Sequence, residues 1–514
     1  MLAKVMSFGI AGLKGYPVTV EADLSPAPNP NNPGFEVVGL PDAAIRESRE
    51  RVHMALMNSG YAFPADKVTV NLAPADTHKA GPIYDLPIAL ALLLAMEKLP
   101  HAAMEGVGFL GELSLGGALR PVQGALSMAL AAREAGLKAL ILPKENGSEA
   151  GCVEGLTIFP AESLKQVSEH LLGLKTLESF HLEWHLEDET GELPPVDFSA
   201  IRGQYLAKRA LEIAAAGGHN LLMVGPPGSG KTMMARAFPG ILPPLTYEEA
   251  LETTNIHSVA GILPRNGGLL RTRPFRSPHH TASVVSLVGG GPNLTPGEVS
   301  RAHHGVLFLD ELPEFPRIVL EALRQPLEDG IVTVSRSRGT VQYPARFIFL
   351  AAMNPCPCGN HGSARPCHCS PRAIEQYRGR ISGPVLDRID LLIPLEDVPF
   401  SDLMSRKKAE SSVEIKKRVL AARAIQLERF KGLNVFCNAQ MNQAQLEEFC
   451  PVRNEDMSLA RSFFESRQAT ARTLNRMIKV ARTIADLAGS ESIEAEHLSE
   501  AFQYHLPANE WKEI

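Results

Sequence analysis

No part of this 514-residue sequence is long and apolar enough to span a bilayer. The longest apolar stretch, residues 86–96, is interrupted by Pro87 and falls well short of the ~20 residues that a spanning helix needs. Met1-Leu2-Ala3-Lys4 runs straight into glycine- and proline-punctuated sequence, so no cleavable apolar leader is expected. The expectation is a cytoplasmic protein with no membrane partner. There is no excess of positive charge either: 51 Lys and Arg stand against 57 Asp and Glu, a formal charge of −6. That excludes a whole-molecule attraction to nucleic acid, so any DNA contact has to come from a local basic patch. Cysteine is too scarce for a disulfide framework. There are seven, an odd number, and four crowd into residues 356–369, which points to a metal site or to plain thiols. Internal repeats and low-complexity tracts are absent. What remains, 45% hydrophobic and 21% charged, is the composition of a folded globular chain, long enough for roughly two to four domains.

The pattern along the chain divides it into an α/β domain over residues 1–174, an acidic linker over 175–196, a second α/β domain over 197–399 and a helical region over 400–514. In the first domain, residues 18–23, 34–40, 68–72 and 139–142 read as strands and 107–119 as a hairpin turning near Gly116-Gly117. Residues 43–58 read as a helix with Asp42 at its N-cap, and 86–98 and 124–135 as further helices. In the last region Leu474, Ile478, Ala481 and Ala485 recur at three- and four-residue steps, marking one face of a helix.

The chemistry concentrates in the second domain. A short apolar strand, 220–224, leads into Gly225-Pro226-Pro227-Gly228-Ser229-Gly230-Lys231-Thr232 and then a helical pattern. This is the P-loop in its strand–loop–helix context. Its backbone N–H groups curl around phosphate, Lys231 reaches the β- and γ-phosphates of ATP, and Thr232 holds Mg²⁺. Gly305-Val-Leu-Phe-Leu-Asp310-Glu311 reads as a buried strand ending in two acids, with Asp310 for the Mg²⁺ shell and Glu311 to orient the attacking water. Asn354, at the end of a third apolar run, is placed to contact the γ-phosphate or the water, or else is a turn residue before Pro355. Arg388, in Leu386-Asp387-Arg388-Ile389-Asp390, sits between the P-loop domain and the helical end. It suits a neighbouring subunit's nucleotide, the arginine-finger arrangement; the alternative is a structural ion pair to Asp387 or Asp390. Arg472 is a second candidate sensing arginine, or an exposed helix-end residue. Cys356, Cys358, Cys367 and Cys369 form two Cys-x-Cys pairs able to satisfy tetrahedral, structural Zn²⁺, with His361 and His368 as substitutes and free thiols as the alternative. His279-His280 and His303-His304 lack metal-ligand spacing and read as structural or nucleotide-neighbouring.

Longer motifs carry a resemblance. Arg273-Pro-Phe-Arg-Ser-Pro-His-His280, Val288-Gly-Gly-Gly-Pro292, Pro296-Gly-Glu-Val-Ser300 and Asp310-Glu-Leu-Pro-Glu-Phe315 resemble magnesium-chelatase-like AAA+ ATPases of the ComM/YifB type. So do Tyr84-Asp-Leu-Pro-Ile88 near the start and Lys479-Val-Ala-Arg-Thr-Ile-Ala-Asp486 near the end. The resemblance implies an AAA+ P-loop core with a C-terminal helical lid, and Asn354 in the sensor-1 role. It implies a homo-hexameric ring and a DNA helicase that drives branch migration in homologous recombination during natural transformation. It makes residues 286–300 the helix-2 insertion, and the two runs 331–334 and 340–343 a pore-facing pre-sensor hairpin whose Arg336 and Arg338 pair with DNA phosphates. A solvated hairpin tip is the alternative for those two arginines. The N-terminal domain resembles the Lon protease fold without its chemistry. Ile83 stands where the serine belongs after Gly81-Pro82, and Leu126 where the lysine belongs, and neither side chain is a nucleophile or base. A chelatase-type motor that remodels a protein for metal insertion is the competing reading. An ATP-dependent protease and a non-enzymatic ATP-gated scaffold are the remaining ones.

Overall fold

The computed structural model describes residues 2–27, 34–182, 184, 195–264, 267–291, 294–336, 339–399, 402, 404, 409–433, 435–452, 461, 464–465 and 470–505. Arg338, Pro292 and half of the linker lie outside these residues. The chain forms two compact units, one of Met1–Glu189 with Thr246–Leu270, the other of Thr190–Leu245 with Arg271–Ile514. Among the described residues no helix is long and apolar enough to cross a membrane.

The first unit is built on a seven-stranded sheet. From edge to edge it runs β3 (Phe35–Val38), β4 (Lys67–Ala73), β2 (Lys14–Ser25), β1 (Leu2–Ala11), β5 (Val107–Phe109), β8 (Ala139–Pro143) and β9 (Thr157–Ala161). β1, β2 and β4 pair antiparallel, while β5, β8 and β9 continue from β1 in parallel. The expected hairpin is therefore shorter than its pattern, because β5 joins the main sheet. Its arms are β6 (Glu112–Leu113) and β7 (Leu119–Arg120). Asp42 caps its helix by accepting from Ile45 N at 2.9 Å, but the helix breaks at Glu47 into Ala43–Arg46 and Ser48–Asn58. The helix Asp85–Ala95 is buried along its whole length, and Asp85 at its start accepts from Arg51 at 2.6 and 3.0 Å and from Leu113 N at 3.2 Å. That ion pair accounts for a charged residue inside the Tyr84–Ile88 motif. Burial still raises the Asp85 carboxyl to about 6. Ile83 and Leu126, at the two positions compared with a protease, are both buried apolar side chains.

The helix Tyr247–Val259 belongs to this first unit, in a segment Thr246–Leu270 whose flanking residues on both sides belong to the second. A Thr246–Glu249 capping box starts it. Tyr247 Oη donates to Cys152 O at 2.8 Å and Asn255 Nδ2 to Leu13 O at 3.2 Å.

The second unit contains a five-stranded sheet, all parallel: β11 (Phe275–Arg276), β14 (Val306–Leu309), β17 (Ile348–Met353), β10 (Leu221–Val224) and β18 (Leu391–Pro394). β10, β14 and β17 are buried on both faces, which is why each reads as an unbroken apolar run instead of an alternating one. Two ribbons stand apart from it, β12 (Gly289–Gly290) with β13 (Thr295–Pro296), and β15 (Ile331–Arg336) with β16 (Gly339–Pro344). Arg336 and Gly339 are the last pair of the second ribbon. From residue 400 on the described elements are helical, the longest being Ser412–Arg429 and Ala471–Ala488. In the latter, Met477, Val480, Ala481, Ile484 and Ala485 form the buried face, while Leu474 and Ile478 lie at its margin.

Candidate active site

The C-terminal edge of the parallel sheet gathers most of the predicted residues. The P-loop leaves β10 at Gly225, whose N–H donates to Met353 O of β17 at 3.2 Å. A Cβ at Gly225 would lie 2.6 Å from Leu395 Cβ, so only glycine lets the loop start this close to the β18 end. Gly228 and Gly230 have φ of 87° and 90°, the left-handed region that the curl of the loop requires. Lys231 is buried. Its Nζ donates to Gly225 O at 2.7 Å, Pro226 O at 2.8 Å and Asn354 Oδ1 at 3.2 Å. Burial lowers the ammonium to about 8, with Asp310 acting the other way. A phosphate brought to this cation relieves that cost.

Asp310 is the first residue beyond β14, and its Oδ2 accepts from Thr232 Oγ1 at 2.6 Å. This hydroxyl and carboxylate are the oxygen donors Mg²⁺ takes from a P-loop site. Glu311 follows with φ 53°, an uncommon conformation for a non-glycine residue. That twist turns its carboxylate outward, more than half exposed, to within 3.4 Å of His280 Nδ1. His280 in turn stacks on His279 with ring centres 4.1 Å apart. His303 and His304 are instead tied to backbone: Arg346 N donates to His303 Nδ1 at 3.0 Å, and Arg273 Nη1 to His304 O at 2.7 Å. Gln204 joins the site with no sequence signal to announce it. Its Nε2 donates to Glu396 O at 2.7 Å and Ser229 O at 3.4 Å, bridging the P-loop to the segment after β18. No periodicity or motif marks it, because its partners are 25 and 192 residues away.

Arg388 and Arg472 lie at the opposite edge. Asn220, just before β10, donates its backbone N–H to Asp390 Oδ2 at 3.1 Å and its side-chain amide to Arg388 O at 2.8 Å. The Arg388 guanidinium donates to Pro384 O at 2.6 Å and pairs with Glu328, to which Arg472 Nη2 also donates at 3.3 Å. Neither Asp387 nor Asp390 is its ion-pair partner; Asp390 faces His219 at 3.4 Å. The strands are parallel and β10 spans four residues, about 13 Å at ~3.3 Å per residue. The Asn220 contact that anchors Arg388 is thus about a strand length from the Lys231 end of the same sheet. Arg388 and Arg472 line a cavity of about 520 Å³ with Glu328, Arg346 and Arg476.

The cysteine loop starts directly after Asn354. Cys356 Sγ lies 3.4 Å from Cys358 Sγ and 3.7 Å from Cys367 Sγ, and Cys358 and Cys367 are 3.6 Å apart. All four sulfurs, Cys369 included, fall within 4.8 Å of one another. A zinc tetrahedron with ~2.3 Å bonds has edges of about 3.8 Å, so the donor set fits that ion. His361 supplies a backbone N–H to Cys356 Sγ at 3.4 Å. Backbone N–H groups of Asn360 and His368 pull the Cys358 thiol down to about 6. A Cβ at Gly359 would lie 2.6 Å from Pro227 Cδ, so the loop leans on the P-loop itself.

Residues 197–403 match the family described as magnesium chelatase, subunit ChlI. Residues 20–146 match subunit ChlI of Mg-chelatase, and 409–505 the ChlI C-terminal family. The chain is 43% identical over 507 residues to YifB of Salmonella typhimurium, covering 98% of this chain and 97% of the relative. It is 44% identical over 495 residues to YifB of Escherichia coli K12, covering 96% and 95%. With competence protein ComM of Haemophilus influenzae it shares 42% identity over 512 residues, covering 98% and 97%. On its site and on these likenesses, the chain belongs to the magnesium-chelatase-like AAA+ family, among proteins of the ComM/YifB type.

Proposed function

We propose that this protein is an ATP-hydrolysing, ring-forming DNA translocase, a homo-hexameric helicase that promotes branch migration during recombination of incoming DNA. The observation that carries the reading is the placement of the P-loop at one end of the parallel strands and of Arg388 and Arg472 beside the other end. Such a subunit completes its site only with arginines from a neighbour. In this reading Lys231 and the loop N–H groups hold the phosphates, Asn354 and Glu311 orient the attacking water, and Thr232 and Asp310 hold Mg²⁺. The bound ion supplies charge neutralisation between the phosphates. Residues 1–174 act as a Lon-like domain without proteolytic groups, 175–196 as the linker, 197–399 as the AAA+ core and 400–514 as the helical lid. The competence name of the relative that covers nearly the whole chain supports DNA as the partner. Forked or four-way DNA with ATP tests it: strand displacement or junction movement is expected, and ATP turnover without either favours a chelatase-type motor.

The grip is assigned to Arg336, the last residue of β15, and to Arg338, which lies outside the described residues. Six copies would line a channel with up to about twelve positive charges, enough to hold phosphates without reading bases. Replacing both with alanine is expected to weaken DNA binding equally for all sequences. The salt dependence should flatten by about 0.7–0.9 in slope for each phosphate that is no longer neutralised. Basal ATPase should persist while DNA stimulation and strand displacement fall. Unchanged unwinding would move the grip elsewhere, first to the N-terminal domain or the basic segment from Lys407.

Zinc is assigned to Cys356, Cys358, Cys367 and Cys369, in a structural role. Elemental analysis of protein purified without chelator should give about one zinc per chain. Paired Cys356→Ser and Cys358→Ser replacement should remove it and weaken ATP binding through the Gly359–Pro227 contact. Metal-free protein with full activity would favour plain thiols.

A further inference from the structure

We infer that Glu328 is a positioning residue that holds the interfacial arginines in reserve and ties their release to the β15–β16 ribbon. The inference rests on the trans-acting role proposed for Arg388. One carboxylate, half exposed, engages both Arg388 and Arg472. Arg388 chiefly holds that carboxyl below its usual range. A guanidinium paired with Glu328 is engaged with an acid when it has to meet a neighbour's phosphate. Glu328 and that phosphate compete for the same donors, and the competition sets how often the finger is available.

The position of Glu328 in the chain supplies the link. It is the penultimate residue of the helix Arg324–Asp329, which ends at Gly330 with φ 66°; β15 begins at the next residue. Across the base of the ribbon, Ala345 N donates to Gly330 O at 2.8 Å. Arg346, the next residue, packs over Gly330, where a Cβ would lie 2.9 Å from its Cγ. Glu328, Gly330, Ala345 and Arg346 all line the cavity that holds Arg388 and Arg472. The ribbon base and the arginine latch are therefore one wall, and a ligand that displaces the ribbon displaces the carboxylate from the guanidinia. Arg476 has a different part. It donates to Ile389 O at 2.6 Å and Leu386 O at 3.4 Å, fixing the turn that carries Arg388 while leaving the Arg388 guanidinium to Glu328.

The test is ATPase kinetics of the full-length assembled protein, with and without a mixed-sequence single-stranded oligonucleotide. Glu328→Gln removes the charge and keeps the shape. Its basal kcat is expected to rise about two- to fivefold, the bias that a half-exposed ion pair can exert. The DNA-saturated rate should match the parent, so the stimulation ratio falls toward one. Glu328→Asp, which keeps the charge, should stay near the parent. In an Arg388→Ala background Glu328→Gln should have no further effect, because it acts through that arginine. A basal rate in Glu328→Gln that is unchanged or lower, with Arg388→Ala inactive, overturns the latch and leaves the trans-arginine reading standing. Full ATPase in Arg388→Ala overturns the reading beneath both. A raised basal rate with undiminished DNA stimulation overturns the link to the ribbon.

Discussion

A Glu311→Gln protein is expected to bind ATP as the parent does and to hydrolyse it about a hundredfold more slowly or worse. The amide keeps the volume of the carboxylate but cannot take up a proton or align the water through a negative charge. In the proposed role Glu311 would be held by its backbone twist of φ 53° and by the Asp310 carboxylate, which accepts the Glu311 N–H at 3.0 Å. Its side chain projects beyond the sheet edge, while Asp310 stays on Thr232. Lys231→Ala should fail earlier, at binding. The ammonium is the buried cation of the loop, and removing a charge-assisted hydrogen bond of this kind weakens ATP binding by about a hundredfold. Equilibrium binding of a fluorescent ATP analogue and steady-state turnover separate the two variants. Normal turnover by Glu311→Gln would sink the assignment.

Arg388→Ala is expected to bind ATP and to turn it over about a thousandfold more slowly, the lower end of the range for a missing arginine finger. Its mixture with Lys231→Ala subunits carries the decisive readout. In mixed rings some interfaces join an intact P-loop to an intact Arg388, so part of the activity returns although neither variant is active alone. The geometry behind this is the parallel sheet, with Gly225, Asp310 and Asn354 at one edge and Asn220, Arg388 and Arg472 at the other. If rings shown to be mixed gain nothing, Arg388 acts within its own subunit or only holds Glu328.

The local geometry of the P-loop end is legible in the residues because each part lies in a short stretch of chain. A strand, a glycine loop and a lysine at the start of a helix depend on neighbours a few residues away. The apolar runs 306–309 and 348–353 likewise announce buried parallel strands. The strand Leu2–Ala11 has no such signature, although it lies at the centre of the first sheet. Lys4 and Ser7 break its apolar pattern, and its pairing with residues 14–23 and with Gly108 is a tertiary matter. The hairpin pattern over 107–119 misleads for the same reason, since β5 has the composition of a hairpin arm but pairs with β1 and β8.

Local pattern and composition were thus enough for the α/β character of both folded regions, the helical end, the phosphate loop with its acids, and a cysteine set of the right number for one ion. In each of these a few adjacent side chains decide the backbone. Other features emerged only once the chain was folded. Tyr247–Val259 packs with the first unit, Gln204 touches the P-loop, and the cysteine loop leans on Pro227. Arg388 and Arg472 share one acid, Glu328, in place of the neighbouring aspartates. These facts join residues tens to hundreds of positions apart. Which pairs meet there depends on how the sheets order their strands, and strand order leaves no trace in the spacing of residues along the chain.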